Sequence, residues 1–355
     1  MTEDKGILIK NIFYMLSYAY QVLRQSNYKK IESEPFDNVC DLFAAILVQG
    51  MNQQIKQGLH KEYVSLTDDL STVKGKLNMQ GTIENQMKRM QRIRCDFDEL
   101  SENNCLNQIL KTSAIYLLRQ PEVKRVNKQK LRDSLQGFVN VDEIARDTIR
   151  WNTLTYHRNN QSYRMLMFVC YFVLNDLLLT TTVGKYKMRM FTDEHMAALY
   201  EKFILEYYKK THPELDPKPL RMGFDIRQEV TAEARQYLPI MKTDITLSKG
   251  DRTLIIDAKY YKNIWQRYDD TDPETSESIR SGHIYQIMTY VHNNEALYSG
   301  KVGGMLLYAQ TGDRHFELDY PDISGNPYYI RTFDLNQDFT GLRNQLESIV
   351  ELYFG

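Results

Sequence analysis

Asp244, Asp257 and Lys259 have the side-chain types that metal-dependent phosphodiester hydrolysis needs. Two carboxylates, with water and phosphate oxygens, supply the hard oxygen ligands that Mg²⁺ prefers. A bound Mg²⁺ polarises a phosphate and lowers the pKa of a bound water. Lys259, two residues after Asp257, could orient that water or offset charge in the transition state. The three residues indicate a phosphodiesterase site if the fold brings them together.

The surrounding segment, MKTDITLSKGDRTLIIDAKYY, is predicted to form a β-hairpin that closes at Gly250-Asp251, because a glycine in first place suits a type II′ turn. That loop fixes the register, and alternation then sends Asp244, Asp257 and Lys259 to one side of the sheet. Asp244 is expected opposite Asp257, close enough to share a divalent cation. The other side carries two apolar pairs, Ile245 with Ile256 and Leu247 with Leu254.

The tripeptide pattern [DE]xK is weak evidence by itself, since it occurs four times, beginning at Glu3, Glu122, Asp216 and Asp257. Only the last follows a β-like run, TLII, and has an aspartate in register across a hairpin. The alternative is a surface hairpin with an Asp–Lys pair at its rim, which is common on exposed sheet faces.

Two predicted helices add candidate residues. The helix at 279–292 contains Gln286 and Tyr290, which lie on one helical face, and the helix at 194–210 contains Glu201 away from its apolar stripe. An acid-bearing helix, a hairpin and a QxxxY helix in this order resemble the PD-(D/E)xK nucleases, particularly their RecB-like branch. Pro239 stands five residues before Asp244, so the proline–aspartate pair of those nucleases is stretched here. Whether Glu201, Gln286 or Tyr290 joins the site stays open.

The composition predicts a globular protein of two domains with limited affinity for DNA. The chain has 355 residues, 42% of them hydrophobic, and 45 Lys+Arg against 46 Asp+Glu. A net charge of −1 argues against a strongly basic surface, so any nucleic-acid contact must be local or shared with a partner. The four cysteines form no CxxC pair, which argues against structural zinc.

The N-terminus lacks an apolar signal-peptide core, and the most apolar stretch, residues 165–179, is too short and too polar to span a bilayer. A cytoplasmic protein without a membrane anchor is therefore expected.

The periodicity predicts an α/β (α+β) chain in two domains, 1–155 and 156–355, divided at the polar run WNTLTYHRNNQSYR. Helical patterns occupy 7–24, 37–55, 101–119, 163–180, 194–210, 279–292 and 337–353. Strand patterns occupy 224–231, 240–248, 252–261, 302–309 and 327–334.

Residues 72–97 form the most basic stretch of the first half. It contains Lys74, Lys76, Lys88, Arg89, Arg92 and Arg94. The segment is interpreted either as a solvated surface, the usual role of a charge run, or as a contact with a partner or with phosphate.

Several segments together resemble the McrC family, the nuclease subunit of the McrBC modified-cytosine-dependent restriction system. They are KNIFYMLSYAY, VKGKLN, CDFDELSENNCLNQILK, LYEKF, LPIMKTDI with LIIDAKYYK, and VGGMLLYA, in that order along the chain. The resemblance implies a PD-(D/E)xK domain with a central mixed sheet flanked by helices, catalytic Asp244, Asp257 and Lys259, and Mg²⁺ on Asp244 and Asp257.

The same resemblance implies a division of labour with a partner. Residues 1–155 would dock on McrB, a hexameric AAA+ GTPase that binds the GTP, and would stimulate its hydrolysis. The complex would cleave double-stranded DNA that carries methylated or hydroxymethylated cytosine. The modified base, the number of metal ions, the stoichiometry and the residues that stimulate GTP hydrolysis are not apparent from this chain.

Other functions remain open. A self-sufficient RecB-like exonuclease would need a way to feed DNA to the site, and the chain has no Walker A motif or helicase-sized region. A non-catalytic adaptor of a GTPase ring would not need the Asp244, Asp257 and Lys259 register. A stand-alone reader of modified bases would need an aromatic pocket, for which Tyr260, Tyr261 and Trp265 are candidates, although they are more simply core and rim residues.

Overall fold

The structure is a computed structural model, and it describes residues 9–20, 36, 38–175, 193–226, 228–260, 264–267, 277–297, 300–310 and 315–355. The chain divides into two compact units. The inserted unit is Ser33–Leu179, and the terminal unit combines Met1–Glu32 with Thr180–Gly355.

This division differs from the predicted boundary near residue 155. The first helix, α1 (Ile9–Ala19), packs within the terminal unit, where the Tyr18 ring contacts those of Phe203 and Tyr207. Asn11 donates hydrogen bonds to the backbone carbonyls of Leu335 and Gln337, both at 2.7 Å. A polar run in a sequence indicates a loop, but it does not reveal that a helix near the start of the chain packs against residues far along it. The prediction therefore assigned α1 to the first domain.

The inserted unit consists of a group of helices and a small antiparallel sheet. Its elements are α2 (Val39–Gln57), β1 (Glu62–Leu70), β2 (Lys76–Leu77), α3 (Met79–Met87), β3 (Ile93–Ser101), α4 (Cys105–Arg119), α5 (Arg125–Leu135) and α6 (Tyr163–Leu174). The strands are ordered β1-β3-β2. Asn38 caps α2 by accepting a hydrogen bond from the backbone N–H of Asp41 at 2.8 Å.

Sequence periodicity located most of these helices. The predicted helices at 37–55, 101–119 and 163–180 correspond to α2, α4 and α6, although residues 176–180 lie outside the described part of the chain. Helix α4 begins at Cys105, after the capping side chain of Asn104, rather than at residue 101 as the predicted range has it. Helix α5 was not predicted because its sequence, RVNKQKLRDSL, buries only Leu131 among its apolar residues and has no apolar stripe.

The terminal unit is built on a mixed five-stranded sheet. The remaining elements along the chain are α7 (Asp193–Thr211), β4 (Arg221–Met222), α8 (Ala232–Gln236), β5 (Met241–Lys242), β6 (Ile245–Lys249), β7 (Arg252–Lys259), β8 (Trp265–Arg267), β9 (Glu277–Ile279), α9 (Ser281–Leu297), β10 (Lys301–Ala309), β11 (Glu317–Ile323), β12 (Asn326–Phe333) and α10 (Phe339–Phe354).

The sheet order is β11-β12-β10-β7-β6. Strands β7, β10 and β12 run parallel, whereas β6 and β11 are antiparallel to their neighbours. The predicted mixed α/β class is confirmed.

Helices cover both faces of this sheet. On one face, Gly304 lets Ile287 of α9 approach strand β10, since a Cβ there would lie 2.9 Å from that side chain. On the other face, Gly303 does the same for Tyr353 of α10. Leu254, Ile255 and Ile256 of β7 are consequently all fully buried. Strand β7 is therefore an interior strand, and polar side chains on it are shielded from solvent.

In the second half, one predicted strand is not found among the described residues, and strand β11 was not predicted. Residues 224–231 were expected to form a strand, but no strand occurs at 224–226 or 228–231, where Gln228 to Thr231 are exposed and have no neighbouring strand to pair with. Strand β11 was not predicted, because its sequence, ELDYPDI, is acidic and contains Pro321, which suits the edge of a sheet.

No helix among the described residues has both the length and the apolar character that crossing a membrane requires.

Candidate active site

The predicted hairpin register is confirmed. Strands β6 and β7 pair antiparallel, with Ile245 opposite Ile256 and Leu247 opposite Leu254, and Gly250 at the turn has a φ of +62°. The positive φ explains why the turn residue is glycine.

Asp257 lies near the end of β7 and is buried. Its exposed fraction is 1%, because β7 lies between β6 and β10 and beneath α9. The alternative of a surface hairpin with an Asp–Lys pair at its rim is therefore excluded. A carboxylate at this depth carries a large desolvation cost, which neighbouring groups must offset.

The buried carboxylate of Asp257 lacks the hydrogen bonds that would normally offset its desolvation. Both Oδ1 and Oδ2 are buried without a well-formed hydrogen bond from the described residues. The Nζ of Lys259 lies 2.7 Å from Oδ2 and provides a charge partner. Unsatisfied buried oxygens are rare in folded proteins and often mark a position that a ligand or ion completes.

Asp244 lies immediately before β6, the strand that pairs with β7. Its Oδ2 accepts a hydrogen bond from the backbone N–H of Ala258 at 3.0 Å, which holds the carboxyl group beside Asp257. Burial, followed by the negative charges of Asp257 and Glu201, raises the pKa of Asp244 to about 8. The geometry therefore concentrates negative charge in a desolvated place, and a cation there would relieve that repulsion.

Lys259 is held by the QxxxY face of α9. Its Nζ donates to Oε1 of Gln286 at 2.9 Å, and Nε2 of Gln286 donates to the hydroxyl of Tyr290 at 2.9 Å. Gln286 and Tyr290 thus share one helical face, as predicted, and the structure brings both to Lys259. The chain of hydrogen bonds fixes the ammonium group beside the carboxylates.

Glu201 faces the same group of charges from α7. Burial raises the pKa of the Glu201 carboxyl group, the positive charges of Lys259 and Lys242 lower it, and the negative charge of Asp257 raises it. The sequence could not decide whether this residue is exposed or joins the site, because it lies outside the apolar stripe of its helix. The structure places it within electrostatic reach of Asp257.

Sequence reasoning missed His283 as a neighbour of the site. It lies three residues before Gln286 on α9, and its Nδ1 is 2.8 Å from the hydroxyl of Tyr308. Burial lowers the pKa of His283, and the positive charge of Lys259 lowers it further. Its spacing of one helical turn from Gln286 was the available signal.

The residues present fit a divalent cation such as Mg²⁺. The unsatisfied oxygens of Asp257 and the carboxyl group of Asp244 are hard oxygen donors. Across the residues that the structure describes, no set of three or more His, Cys, Asp or Glu side chains is arranged to hold a metal ion. Mg²⁺ has six coordination positions and usually keeps several waters, so two carboxylates would leave positions for water or substrate.

Two of the three aromatic residues considered for a base-reading pocket, Tyr260 and Trp265, pack against other rings. Tyr260 is buried with its ring centroid 6.3 Å from that of Tyr200, and the Trp265 ring lies 5.2 Å from that of Phe316. Tyr261 lies outside the described residues.

The basic segment at 72–97 uses part of its charge within the inserted unit. Arg94 donates two hydrogen bonds to Asp69, at 2.8 and 2.9 Å, and Nζ of Lys74 lies 3.0 Å from Oε2 of Glu99. Arg92 donates to the backbone carbonyl of Asp69 at 3.0 Å. These contacts have a structural role. Three other exposed basic residues of the segment, Lys76, Lys88 and Arg89, form no ion pair with the described residues.

The fold and the site together define a mixed α/β protein in which Asp257 is buried and Lys259 ends the same interior strand, with the partly buried Asp244 beside them. Residues 3–309 match the family model described as McrBC 5-methylcytosine restriction system component, so the chain belongs to that family. The family resemblance predicted from the sequence is confirmed.

A curated relative, the "Type IV methyl-directed restriction enzyme EcoKMcrBC" of Escherichia coli (strain K12), is 25% identical over 353 residues, 99% of this chain and 99% of the relative. Two solved structures from Thermococcus gammatolerans are also similar. A half-complex of McrB AAA+ hexamers with bound McrC is 19% identical, covering 97% of this chain and 76% of that chain at a TM-score of 0.45. The McrBC complex is 21% identical, covering 57% and 58% at a TM-score of 0.40.

Proposed function

We propose that this chain is the Mg²⁺-dependent endonuclease subunit of a GTP-dependent restriction complex, which acts in the cytoplasm on double-stranded DNA with methylated or hydroxymethylated cytosine. The observation that carries the proposal is the buried carboxylate of Asp257, which lacks a well-formed hydrogen bond and lies beside Asp244 and Lys259. Membership of the McrBC restriction family supports it.

Asp244 and Asp257 would hold Mg²⁺, and a bound Mg²⁺ supplies an activated water and polarises the phosphate. Lys259 contributes a positive charge that its contacts with Asp257 and Gln286 keep in place. That charge would stabilise the negative charge that develops on the phosphate in the transition state. Tyr290 would act indirectly, because it accepts the hydrogen bond that orients Gln286.

The partner in this proposal is an AAA+ GTPase ring that binds GTP and recognises the modified base. The near balance of 45 basic and 46 acidic residues supports a division in which the partner supplies most of the DNA affinity. The inserted unit would dock on the ring and stimulate GTP hydrolysis, through a surface that includes Lys76, Lys88 and Arg89.

A reconstitution experiment tests the proposal. Plasmid DNA with 5-methylcytosine is incubated with the purified chain, the AAA+ GTPase of the same restriction system, GTP and Mg²⁺, and each component is omitted in turn. We expect cleavage only in the complete mixture, none of unmodified plasmid, and loss of cleavage on chelation. Efficient cutting by the chain alone at ordinary salt would instead favour the self-sufficient exonuclease, and GTPase stimulation without any cleavage would favour the adaptor.

A further inference from the structure

Residues 146–164 of the inserted unit carry an unusual concentration of arginine and aromatic side chains. The segment contains four arginines and one acid, Asp147, in a chain whose net charge is −1. All four arginines are exposed. They are Arg146, Arg150, Arg158 and Arg164, referred to below as the arginine band. The sequence pattern indicated only a polar connector here.

The segment runs along one face of α6 in the opposite direction. Arg146 donates to the carbonyl of Leu174 at 3.5 Å at the end of the helix, and the Trp151 ring lies 5.1 Å from that of Tyr171. At the beginning of the helix, the guanidinium of Arg164 lies 5.8 Å from the ring centre of Tyr156. The arginine band therefore follows a helix face that is about 15 Å long, at ~1.5 Å per residue.

Local contacts fix the backbone that carries the arginine band. The carbonyl of Arg150 accepts a hydrogen bond from the hydroxyl of Thr153 at 2.8 Å. The loop before Arg158 is closed by Asn160, whose side chain accepts from the N–H of His157 at 2.6 Å and donates to the carbonyl of Thr155 at 3.2 Å. The arginines are thus held on an ordered surface rather than on an unstructured linker.

The charges of Arg150 and Arg158 have no acidic partner in the described part of the protein. Arg146 is engaged locally, since its guanidinium carbon lies 4.8 Å from the ring centre of Tyr116. In the segment at 72–97, Arg94 and Lys74 are paired with acids, whereas Lys76, Lys88 and Arg89 are not paired with any described residue.

We propose that the arginine band binds the phosphate backbone of double-stranded DNA, independently of base sequence and of cytosine modification. Exposed arginines bind phosphate oxygens through paired N–H donors. A face of about 15 Å spans four or five phosphates of one strand, at ~3.4 Å along the axis for each. The inference rests on the proposed function in that DNA is the substrate, but it concerns binding by the inserted unit rather than cleavage.

Fluorescence anisotropy tests this proposal. A labelled 30-base-pair duplex without modified cytosine is titrated with the full chain, in EDTA and at several NaCl concentrations. The test variant is Arg150→Ala with Arg158→Ala. The matched control is Lys130→Ala with Arg132→Ala, which removes two exposed positive charges from α5 of the same unit. A third variant, Arg150→Lys with Arg158→Lys, keeps the charge.

We expect the test variant to bind the duplex roughly tenfold more weakly at about 100 mM NaCl. Its plot of the logarithm of the association constant against log[NaCl] should have a slope that is shallower by about 2, since each lost phosphate contact changes the slope by ~0.9. The control should stay within about twofold of wild type, and the lysine variant should retain the wild-type slope. The proposal is overturned if wild type does not bind, if the test variant binds like wild type or like the control, or if the lysine variant loses as much as the alanine variant.

Because EDTA prevents cleavage, a failure of the proposed nuclease leaves this measurement unaffected. Unchanged DNA binding by the test variant, combined with lost assembly with the AAA+ partner, would assign the arginine band to a protein interface instead.

Discussion

Asp69 and Asp257 are aspartates on β-strands with a basic partner nearby, yet their surroundings differ. Asp69 of the inserted unit accepts hydrogen bonds from Arg94 at 2.8 and 2.9 Å and from Asn85 at 2.6 Å. These bonds lower its pKa to about 2, with Arg94 contributing most. Asp257 of the terminal unit is buried without a well-formed hydrogen bond, beside a second carboxyl group.

The Asp69 carboxylate therefore has a structural role, whereas the Asp257 carboxylate is available for chemistry. The planar guanidinium of Arg94 satisfies the oxygens of Asp69 in a fixed geometry, so that carboxylate has little capacity for another ligand. Gly81 makes room for it, because a Cβ there would lie 2.2 Å from Cδ of Arg94. Lys259 provides Asp257 with a point charge and is shared with Gln286, so the Asp257 oxygens keep their capacity to bind a cation.

Among substitutions that keep both carboxylates of the site, the largest effect is expected at Lys259. Lys259→Ala should reduce cleavage by the reconstituted complex about 10²-fold or more, because it removes a positive charge from the transition state. The rise in melting temperature on adding Mg²⁺ should persist, since both carboxylates remain. The control is Lys218→Ala, in the exposed Asp216-Pro217-Lys218 tripeptide, which should leave cleavage unchanged. Full cleavage by Lys259→Ala would remove this residue from the mechanism.

A smaller effect, on stability alone, is expected at Asp69. Asp69→Asn should lower the melting temperature by a few degrees at pH 7 and leave cleavage by the assembled complex intact. Because the folded-state pKa is depressed, the stabilisation from Asp69 is present above about pH 4 and is lost as the pH falls towards 2. Thermal unfolding between pH 2 and 7 measures it, with Asp98→Asn as a control that loses one hydrogen bond from Ser65. Equal pH profiles for wild type and Asp69→Asn would contradict this account.

The smallest effect is expected at Asp244, in EDTA. Its folded-state pKa is raised, so the stability that its protonated form contributes is complete below about pH 4 and is lost as the pH rises through about 8. Asp244→Asn should therefore raise the melting temperature at pH 8.5 by a degree or two and leave it unchanged at pH 4. Wild type should also bind Mg²⁺ more tightly as the pH rises, because the ion requires the deprotonated carboxylate. A destabilised Asp244→Asn at pH 8.5 would show that the charges do not repel as described.

The sequence predicted the hairpin of the site well, because a Gly-Asp turn and strict alternation determine both register and face. It also placed Gln286 and Tyr290 on one helical face. It could not show that Glu201 and His283 lie near the site, since their positions depend on how α7 and α9 pack on the sheet. Likewise, charge density in the sequence drew attention to residues 72–97, although pairing with acids engages Arg94 and Lys74 there. Segments without an apolar stripe or alternation, such as α5 and β11, were not predicted.

The central claim is that Asp257 is a metal-binding carboxylate of a nuclease centre. Its most direct test compares Asp257→Asn with Asp216→Asn, an exposed aspartate in the same DxK pattern, in the complex reconstituted with the AAA+ partner. We expect Asp257→Asn to be folded, to stimulate GTP hydrolysis like wild type, to gain no thermal stability from Mg²⁺, and to lose cleavage of methylated plasmid. Asp216→Asn should match wild type in every measurement. A folded Asp257→Asn that cuts methylated plasmid at the wild-type rate would contradict the account.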